Sequence, residues 1–421
     1  MRASAPLLLL RYYAQQGSLK KHIHKHQNNQ FIKILSTALE KVPFYQRLYQ
    51  NVTPHIYGNF GINCLDKLPI VDKQMMKEAV AQDLLSAPND KTLHTVVTGG
   101  STGKVFSVTM SQLQRKRRVA TIYRTFFSLG VRPWDRIALF QNAPPGINTY
   151  SWNGFPKSAF IDVSSAIETQ WEFLKQYRPN VFVGIPSIMA DLANHVQTIP
   201  QNLQPKVIFS NSEMLTKQRS DILESVFGTK PLNVYDSWEF GNIAWECTLR
   251  DGLHINAGML FLERDELNGL LITDLYNDVM PLIRYAIGDD ANIITAKCAC
   301  GNPYPRLVNL QGKALECIVL ENGLEKPFAS QITVRLTNIP GVRDFQLYQN
   351  KPGAIDVRVD CIASDEHLNE FVKWTKQTFQ LKSVNINRVS NQSDFFVTAE
   401  GKRPLFYSEL KHKVTANKAR E

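Results

Sequence analysis

The sequence lacks the long apolar runs and the repeats that would place it in several large protein classes. No run approaches the roughly 18 consecutive apolar residues of a membrane-spanning helix. The apolar run at residues 7–10 is too short for a signal-peptide core, and no small-residue cleavage site follows it. We therefore expect a cytoplasmic protein without a transmembrane segment. No internal repeat or low-complexity segment is present, which argues against a solenoid or a disordered linker protein.

Cysteine and acidic residues are both in short supply. Six cysteines in 421 residues do not indicate a disulfide framework, because cytoplasmic thiols are kept reduced. The chain has 38 acidic against 48 basic residues and a formal charge of +10, which suits nucleotides, coenzyme A, an anionic membrane or nucleic acid. Basic runs such as 115–118 and 411–420 are not interleaved with aromatic side chains, so we expect solvated surfaces and no nucleic-acid partner.

Residues 98–104, Thr-Gly-Gly-Ser-Thr-Gly-Lys, are the most distinctive stretch of the chain. They follow a β-branched run at 95–97 that predicts a short strand. Three glycines allow the backbone to approach a ligand closely, and N–H groups in such a loop bind phosphate oxygens. The loop is not a Walker A motif, which needs Gly at Thr98 and Ser or Thr at Val105. From its residues alone it is either a phosphate loop or a polar surface turn.

Beyond this loop the chain alternates predicted helices and strands. Hydrophobic periodicity predicts helices at 111–129, 169–177, 187–196 and 217–226, and strands at 136–140, 181–183, 206–209 and 232–235. This order is typical of α/β proteins, in which ligands bind at the carboxyl ends of strands. Short strands follow from residue 255, and a small α+β region with a helix at 365–379 follows residue 316. Because 421 residues are too many for one core, we expect at least two domains.

Three cysteines and one histidine form a separate set of metal-ligand residue types. Cys298 and Cys300 flank one residue of a predicted tight turn, and Cys247 and His254 lie on either side of a predicted turn at 251–252. Three thiolates and one imidazole would fill a tetrahedral zinc site, which makes such a site structural. The spacing is not that of a standard zinc finger, and buried free cysteines are the alternative interpretation.

In order along the chain, the motifs resemble those of the adenylate-forming enzymes, the superfamily of AMP-forming acyl-coenzyme A synthetases. They are similar to the phenylacetate–coenzyme A ligase branch and, within it, to the adenylate-forming proteins of capsular-polysaccharide gene clusters. The resemblance covers nearly the whole chain. It implies an α/β fold with a large N-terminal domain of mixed sheets flanked by helices at 1–312 and a small, mobile α+β domain at 313–421. We expect a monomer or a homodimer.

The resemblance assigns the nucleotide to four groups of residues: the loop 98–104, Tyr235 with Asp236 and Glu239, Ser212 with Glu213, and Asp289. The phosphates would lie on the loop formed by Thr98, Gly99, Gly100, Ser101, Thr102, Gly103 and Lys104. Thr102 is also assigned a catalytic part. Tyr235 stands where the family has an aromatic that stacks on adenine, and Glu239 where a carboxylate holds Mg²⁺. Asp236 and Trp238 replace Gly and Thr of the family motif, so Trp238 stays an alternative stacking ring.

Further matches complete the implied site. Ser212 and Glu213 occupy the slot of a Gly-Gly-Glu turn that lines the adenine pocket, although a plain polar turn is the alternative. Asp289 ends a stretch similar to Arg-Tyr-Arg-Thr-Gly-Asp, whose Asp accepts hydrogen bonds from both ribose hydroxyls. Lys402 follows Gly401 as in the motif that supplies the adenylation lysine, and residues 311–316 resemble the hinge between the two family domains. Related proteins carry a cysteine cluster similar to the set with Cys298.

The implied activity is ATP-dependent activation of a carboxylic acid to an acyl-adenylate, followed by transfer of the acyl group. The expected cofactors are ATP, Mg²⁺, coenzyme A as the second substrate and a structural Zn²⁺. An amine of an amino acid or amino sugar is the alternative acceptor. Because glycines are missing from two motifs, a nucleotide-binding homologue without catalysis is a further alternative. The sequence does not name the acid.

Overall fold

The computed structural model describes residues 22–52, 61–85, 93–98, 106–141, 157–163, 165–311, 317–327, 330–389, 394–398 and 402–410. The chain divides into two compact units, and each is assembled from two separated stretches. The first unit is Met1–Arg132 with Val234–Lys313, and the second is Pro133–Asn233 with Ala314–Glu421. One division point, between Lys313 and Ala314, falls inside the stretch 311–316 in which a hinge is predicted.

The described residues form the following elements in chain order. The helices are α1 (Ile23–Lys41), α2 (Pro43–Leu48), α3 (Lys73–Ala81), α4 (Gln112–Ser128), α5 (Ile167–Tyr177), α6 (Pro186–Val196), α7 (Lys217–Phe227), α8 (Ser330–Thr337) and α9 (Asp365–Phe379), with short 3₁₀ helices at Ile62–Lys67 and Gln201–Leu203. The strands are β1 (His94–Thr98), β2 (Phe106–Met110), β3 (Arg136–Phe140), β4 (Lys157–Ile161), β5 (Val181–Gly184), β6 (Val207–Ser210), β7 (Leu232–Ser237), β8 (Gly241–Glu246), β9 (Leu253–Ile255), β10 (Leu260–Asp265), β11 (Gly269–Asp274), β12 (Tyr285–Ala286), β13 (Asp290–Ile294), β14 (Arg306–Gln311), β15 (Cys317–Val319), β16 (Glu325–Pro327), β17 (Val342–Gln349), β18 (Ala354–Cys361), β19 (Ser383–Arg388) and β20 (Phe406–Ser408).

The first unit is built on antiparallel pairing. From Val234 onward, β7 pairs with β8, β8 with β9, β9 with β14 and β14 with β13. Strands β10, β11 and β12 form a second sheet, and β1 pairs with β2 so that Thr98 lies opposite Phe106. The predicted phosphate-loop residues 99–104 lie outside the described residues. Among the remaining site residues of the unit, Glu239 and Asp289 lie on turns between strands, whereas Tyr235 and His254 lie within strands.

The part of the second unit at residues 133–233 has a parallel sheet. Its strands β4, β3, β5 and β6 pair in that order, and the first two residues of β7 pair with β6. Strands β5 and β6 are buried at every position, as parallel strands are when helices cover both faces. Their core includes Phe140, Phe182 and Phe227. Helix α7 begins at Thr216, whose hydroxyl accepts a hydrogen bond from the Arg219 N–H.

The part of the second unit from residue 317 onward has a sheet and a hydrophobic core of its own. Strands β19, β18, β17 and β20 pair in that order, and β15 pairs with β16. Helix α9 begins at Ser364, whose side chain accepts from the His367 N–H. The core joins Phe345 and Leu347 of β17 to Phe371 of α9. This stretch is the small α+β region expected from the sequence.

The mixed architecture confirms the predicted α/β fold class, and the predicted boundaries of the central alternation lie close to the observed ones. Near the N-terminus, α1 and α2 are separate helices, because Pro43 has no N–H to continue α1 and instead starts α2. Strand β4 was missed, since it lies on the sheet edge beside β3 and its exposure changes little from residue to residue. Within the described ranges, no helix is both long and apolar enough to span a bilayer.

Candidate functional site

Two predicted nucleotide-binding side chains contact each other in the first unit. Tyr235 lies in β7, and its hydroxyl donates a hydrogen bond to Oδ2 of Asp289 at 2.6 Å. Burial, followed by the charges of Asp289, Glu239 and Asp236, raises the pKa of Tyr235 well above its ordinary value. The hydroxyl therefore remains protonated and acts as a donor. The aromatic ring assigned to adenine and the carboxylate assigned to ribose thus lie side by side.

The backbone of Asp289 is fixed where β12 leads to β13. Its carbonyl oxygen accepts a hydrogen bond from the Leu270 N–H at 2.8 Å. The preceding residue of that strand, Gly269, has a φ of +69°, and a Cβ there would lie 2.4 Å from the Asp289 carbonyl oxygen. Only glycine fits at such a close approach. The Asp289 carboxylate is therefore presented from a turn whose main chain cannot easily shift.

Glu239 lies in the turn Trp238–Phe240 that joins β7 to β8, and it is 9% exposed. The register of this pair shifts between Tyr235 and Asp236, and such irregularities change the direction in which side chains project. Phe240 packs edge-on against Tyr285 of β12 with ring centroids 5.7 Å apart. Burial and then the Glu239 charge raise the pKa of Tyr285. Glu239, Asp289 and Tyr235 therefore belong to one cluster, while Trp238 is 41% exposed.

Sequence reasoning missed Arg118, which supports the turn that carries Glu239. Arg118 lies on α4, where its guanidinium donates to the main-chain carbonyls of Trp238 and Glu239. It also forms a buried ion pair with Asp274 of β11 at 3.2 Å. Gln114, one helical turn earlier, donates to both oxygens of the same carboxylate. The turn is thus held by a paired, buried charge in addition to the hydrogen bond from the Phe240 N–H to the Ser237 hydroxyl.

A sequence signal for this network existed in α4. Residues 115–118 were interpreted as a solvated basic run, and Arg118 is the exception. Buried polar side chains recur along one face of the helix at Gln114, Arg118, Thr121 and Thr125. This spacing follows the helical period. Apolar residues usually occupy positions with this spacing. Polar residues there indicate a buried helix face whose side chains are hydrogen-bonded.

The remaining described site residues lie in the second unit. Ser212 has a φ of +69°, so it takes the left-handed conformation that glycine adopts without strain in the family turn. The Glu213 carboxylate is 4% exposed and accepts from Arg219 at 3.0 Å. Lys402 is half-buried, and its N–H donates to the Thr398 hydroxyl at 3.2 Å. Glu213 is therefore part of a buried ion pair, which a plain polar surface turn would not contain.

The four predicted metal ligands converge in the first unit. The ligand atoms of Cys247, His254, Cys298 and Cys300 all lie within 4.8 Å of one another. Cys247 Sγ is 3.9 Å from Cys298 Sγ, and Cys300 Sγ is 3.3 Å from His254 Nε2. Ligands about 2.3 Å and 2.1 Å from a tetrahedral Zn²⁺ would stand about 3.6–3.8 Å apart. The donor set and its spacing therefore fit a structural zinc ion.

The surroundings of the cluster set the histidine tautomer and shift the pKa values of its ligands in different directions. Nδ1 of His254 lies 3.2 Å from the Tyr304 carbonyl oxygen, so the proton resides on Nδ1 and the Nε2 lone pair faces Cys300. Hydrogen bonding by the Cys300 N–H lowers the pKa of Cys298, whereas burial raises the pKa of Cys300 to about 11. Burial lowers the pKa of His254, which favours the neutral imidazole that a metal requires.

Comparison with known proteins gives a consistent set of relatives. No protein-family model matches the chain. The phenylacetate–coenzyme A ligase of Thermus thermophilus is 22% identical over 355 residues, which cover 78% of this chain and 79% of that protein. The protein CapK of Staphylococcus aureus is 22% identical over 306 residues, 67% of this chain and 66% of that protein.

The fold has close counterparts among solved structures. A 2-hydroxyisobutyryl-coenzyme A ligase in the postadenylation state, in complex with 2-HIB-AMP, matches with a TM-score of 0.75 at 16% identity, over 96% of this chain and 92% of that one. The resemblance inferred from the motifs is thereby confirmed: the chain has the fold of an adenylate-forming coenzyme A ligase and is similar in sequence to phenylacetate–coenzyme A ligases and to CapK.

Proposed function

We propose that this protein is an AMP-forming carboxylate ligase that makes an acyl-adenylate from ATP and a carboxylic acid and then transfers the acyl group to coenzyme A. The observation that carries the proposal is the contact between the Tyr235 hydroxyl and the Asp289 carboxylate beside Glu239. These three residues would supply an aromatic ring for adenine, an acceptor for the ribose hydroxyls and an oxygen ligand for Mg²⁺. The chain that carries them is similar in sequence to a phenylacetate–coenzyme A ligase.

The roles follow from the chemistry of each side chain. The Asp289 carboxylate accepts hydrogen bonds from the two ribose hydroxyls, replacing the one it now accepts from Tyr235. The Tyr235 ring offers its face to adenine, with Trp238 as the alternative ring. Glu239 would hold Mg²⁺, which would neutralise charge on the phosphates. Residues 98–104, Thr102 included, would donate N–H and hydroxyl groups to the phosphates, and Ser212 and Glu213 would border the adenine.

The reaction needs positioning more than it needs a protein nucleophile. The substrate carboxylate oxygen forms a bond to the α-phosphorus of ATP, and the bond to pyrophosphate breaks. The coenzyme A thiol then gives up its proton and attacks the acyl carbon, and AMP leaves. Asp289 and Tyr235 fix the nucleotide, and Lys402 would place positive charge between the carboxylate and the α-phosphate. We propose that residues 313–421 form a mobile domain that presents Lys402 for the first step.

Three further parts of the proposal concern the metal site, the cellular location and the acyl acceptor. Cys247, His254, Cys298 and Cys300 would hold one Zn²⁺ whose role is to stabilise the fold. A cytoplasmic location would supply both ATP and coenzyme A. The acceptor is proposed to be the thiol of coenzyme A, and an amine is the outcome to be tested against it.

An ATP–pyrophosphate exchange screen tests the proposal directly. The purified protein is incubated with Mg²⁺, ATP, labelled pyrophosphate and one acid at a time: phenylacetate, 2-hydroxyisobutyrate, fatty acids and amino acids. We expect label to enter ATP only with an acid that the protein activates. With that acid, added coenzyme A should yield a thioester detectable by mass spectrometry. Binding of ATP without exchange for any acid would identify a nucleotide-binding homologue instead, and an amide product would replace the thiol acceptor by an amine.

A further inference from the structure

Five charged side chains form a buried cluster in the second unit. Arg219 of α7 donates to Glu213 at 3.0 Å and to both oxygens of Asp344, at 3.0 and 3.2 Å. Arg403 donates to Asp191 of α6 at 2.9 Å and lies 3.6 Å from Asp344. The two arginine side chains are 2% and 5% exposed. Two positive charges thus face three carboxylates largely out of contact with water.

The cluster joins two parts of the unit that have separate hydrophobic cores. Asp191, Glu213 and Arg219 belong to residues 133–233, whose core contains Phe182 and Phe227. Asp344 and Arg403 belong to the C-terminal part, whose core lies between the β17 sheet and α9. A buried ion pair contributes little net stability because desolvation offsets the attraction, but a single unpaired buried charge is costly. The cluster therefore specifies one arrangement of the two parts and depends on every member.

Arg403 also fixes the main chain next to Lys402. Its N–H donates to the Glu213 carboxylate, and its guanidinium donates to the Ser187 carbonyl oxygen at 2.9 Å as well as to Asp191. On the other side, Thr398 exchanges hydrogen bonds with the Lys402 N–H and carbonyl oxygen, at 3.2 and 2.9 Å. The peptide that carries Lys402 is therefore tied to the turn at Ser212 and Glu213, which is assigned to the nucleotide.

We propose that Arg403 is a positioning residue that, through the cluster of Asp191, Glu213, Arg219 and Asp344, holds Lys402 in place for the adenylation step. This inference rests on the proposed function. Lys402 is useful only while negative charge develops at the α-phosphate, so the positioning matters for one half-reaction and not for acyl transfer.

Hydrogen–deuterium exchange on the unliganded protein is the first test, since it needs no substrate. Arg403→Gln should speed exchange of the amides in residues 402–410 by roughly tenfold or more, and Arg403→Lys should do so by less. Lys382→Gln is the matched control, because it removes a charge from the exposed 2.7 Å pair with Glu321 in the same part of the chain. Unchanged protection in Arg403→Gln, or equal loss throughout α9, would overturn the proposal. Asp191→Asn, which keeps the side-chain shape, provides the same test should Arg403→Gln fail to fold.

The two half-reactions are the second test, with the acid selected by the exchange screen. Arg403→Gln should slow pyrophosphate exchange by roughly tenfold or more, as expected when a catalytic group is misplaced. Transfer from the synthetic acyl-adenylate of that acid to coenzyme A should stay within about twofold of wild type. An equal loss of rate in both half-reactions would show that Arg403 has only a structural role. Wild-type protein that exchanges pyrophosphate with no acid would refute the proposed function, while hydrogen exchange would still decide whether Arg403 fixes the Lys402 segment.

Discussion

The two ends of strands β8 and β13 carry different kinds of polar cluster. At the N-terminal ends of the two strands, Glu239 precedes β8 and Asp289 precedes β13. At the C-terminal ends, Cys247 follows β8 and Cys298 and Cys300 lie in the turn after β13. The first cluster is held by outside contacts such as the Arg118 hydrogen bonds, whereas the second consists of ligands that face one another.

The comparison teaches how one sheet can serve both recognition and stability. Carboxylates that bind a nucleotide must have oxygen atoms available to accept its hydrogen bonds. The turns that carry them are therefore held by other residues, such as Arg118. A closed set of four metal ligands needs no such opening and can hold the two strand ends together. The following predictions test that division of roles.

Removal of the metal should have the largest effect, and it should fall on stability. We expect protein prepared without added metal to contain one zinc per chain, and a strong chelator to lower the free energy of unfolding by several kcal/mol, because metal-binding energy becomes folding energy. Elemental analysis and thermal unfolding measure both quantities. Cys298→Ser should lose the zinc, whereas Cys361→Ser, at a thiol outside the cluster, should keep it. A zinc content near zero would refute the site.

Glu239→Gln should act on catalysis without affecting stability. Loss of the proposed Mg²⁺ ligand is expected to reduce the adenylation rate by about a hundredfold or more, the scale of one positioned charge contact. Partial recovery at high Mg²⁺ is expected, with an unchanged melting temperature. The matched control is Glu246→Gln at the C-terminal end of β8, whose carboxylate pairs with Arg250 near the cysteine cluster. An equal loss in both variants, or normal Mg²⁺ dependence in Glu239→Gln, would contradict the assignment.

Asp289→Ala should weaken ATP binding by on the order of 2–4 kcal/mol, because two ribose hydroxyls lose a charged acceptor in a partly desolvated site. Isothermal titration calorimetry measures this change directly. Asp290→Asn is the matched control, since the neighbouring carboxylate forms a partly exposed pair with Arg264 at 2.9 Å. Wild-type ATP affinity in a folded Asp289→Ala variant would remove the ribose role from this residue.

Tyr235→Phe should have the smallest effect. It deletes the hydroxyl that donates to Asp289 and keeps the ring, so ATP affinity should change by about 1 kcal/mol or less. Tyr235→Ala, which removes the ring, should cost more than Trp238→Ala if Tyr235 stacks on adenine. The reverse order would assign stacking to the exposed Trp238.

The two clusters also differ in how far the sequence could predict them. The cysteine–histidine set was identified from ligand types alone, because few other roles bring three thiols and an imidazole together. Tyr235, Glu239 and Asp289 were identified only through the order of family motifs, since a carboxylate after a strand is common. The supporting residues were missed in both units. In the sequence, Arg219 and Arg403 resemble ordinary surface arginines, and only the polar face of α4 distinguishes Arg118.

The sequence by itself determined the elements whose signals are local. The observed bounds of β3 and α9 are those expected, because period, caps and β-branched residues act within a few positions. Only the tertiary structure decided which carboxylate pairs with each buried arginine, because the partners lie far apart in the chain. Arg118 and Asp274 are 156 residues apart, Arg219 and Asp344 are 125, and Arg403 and Asp191 are 212. An arginine can be buried when folding brings a carboxylate to it. The residue pattern of the helix or strand that carries the arginine does not show where in the chain that carboxylate lies.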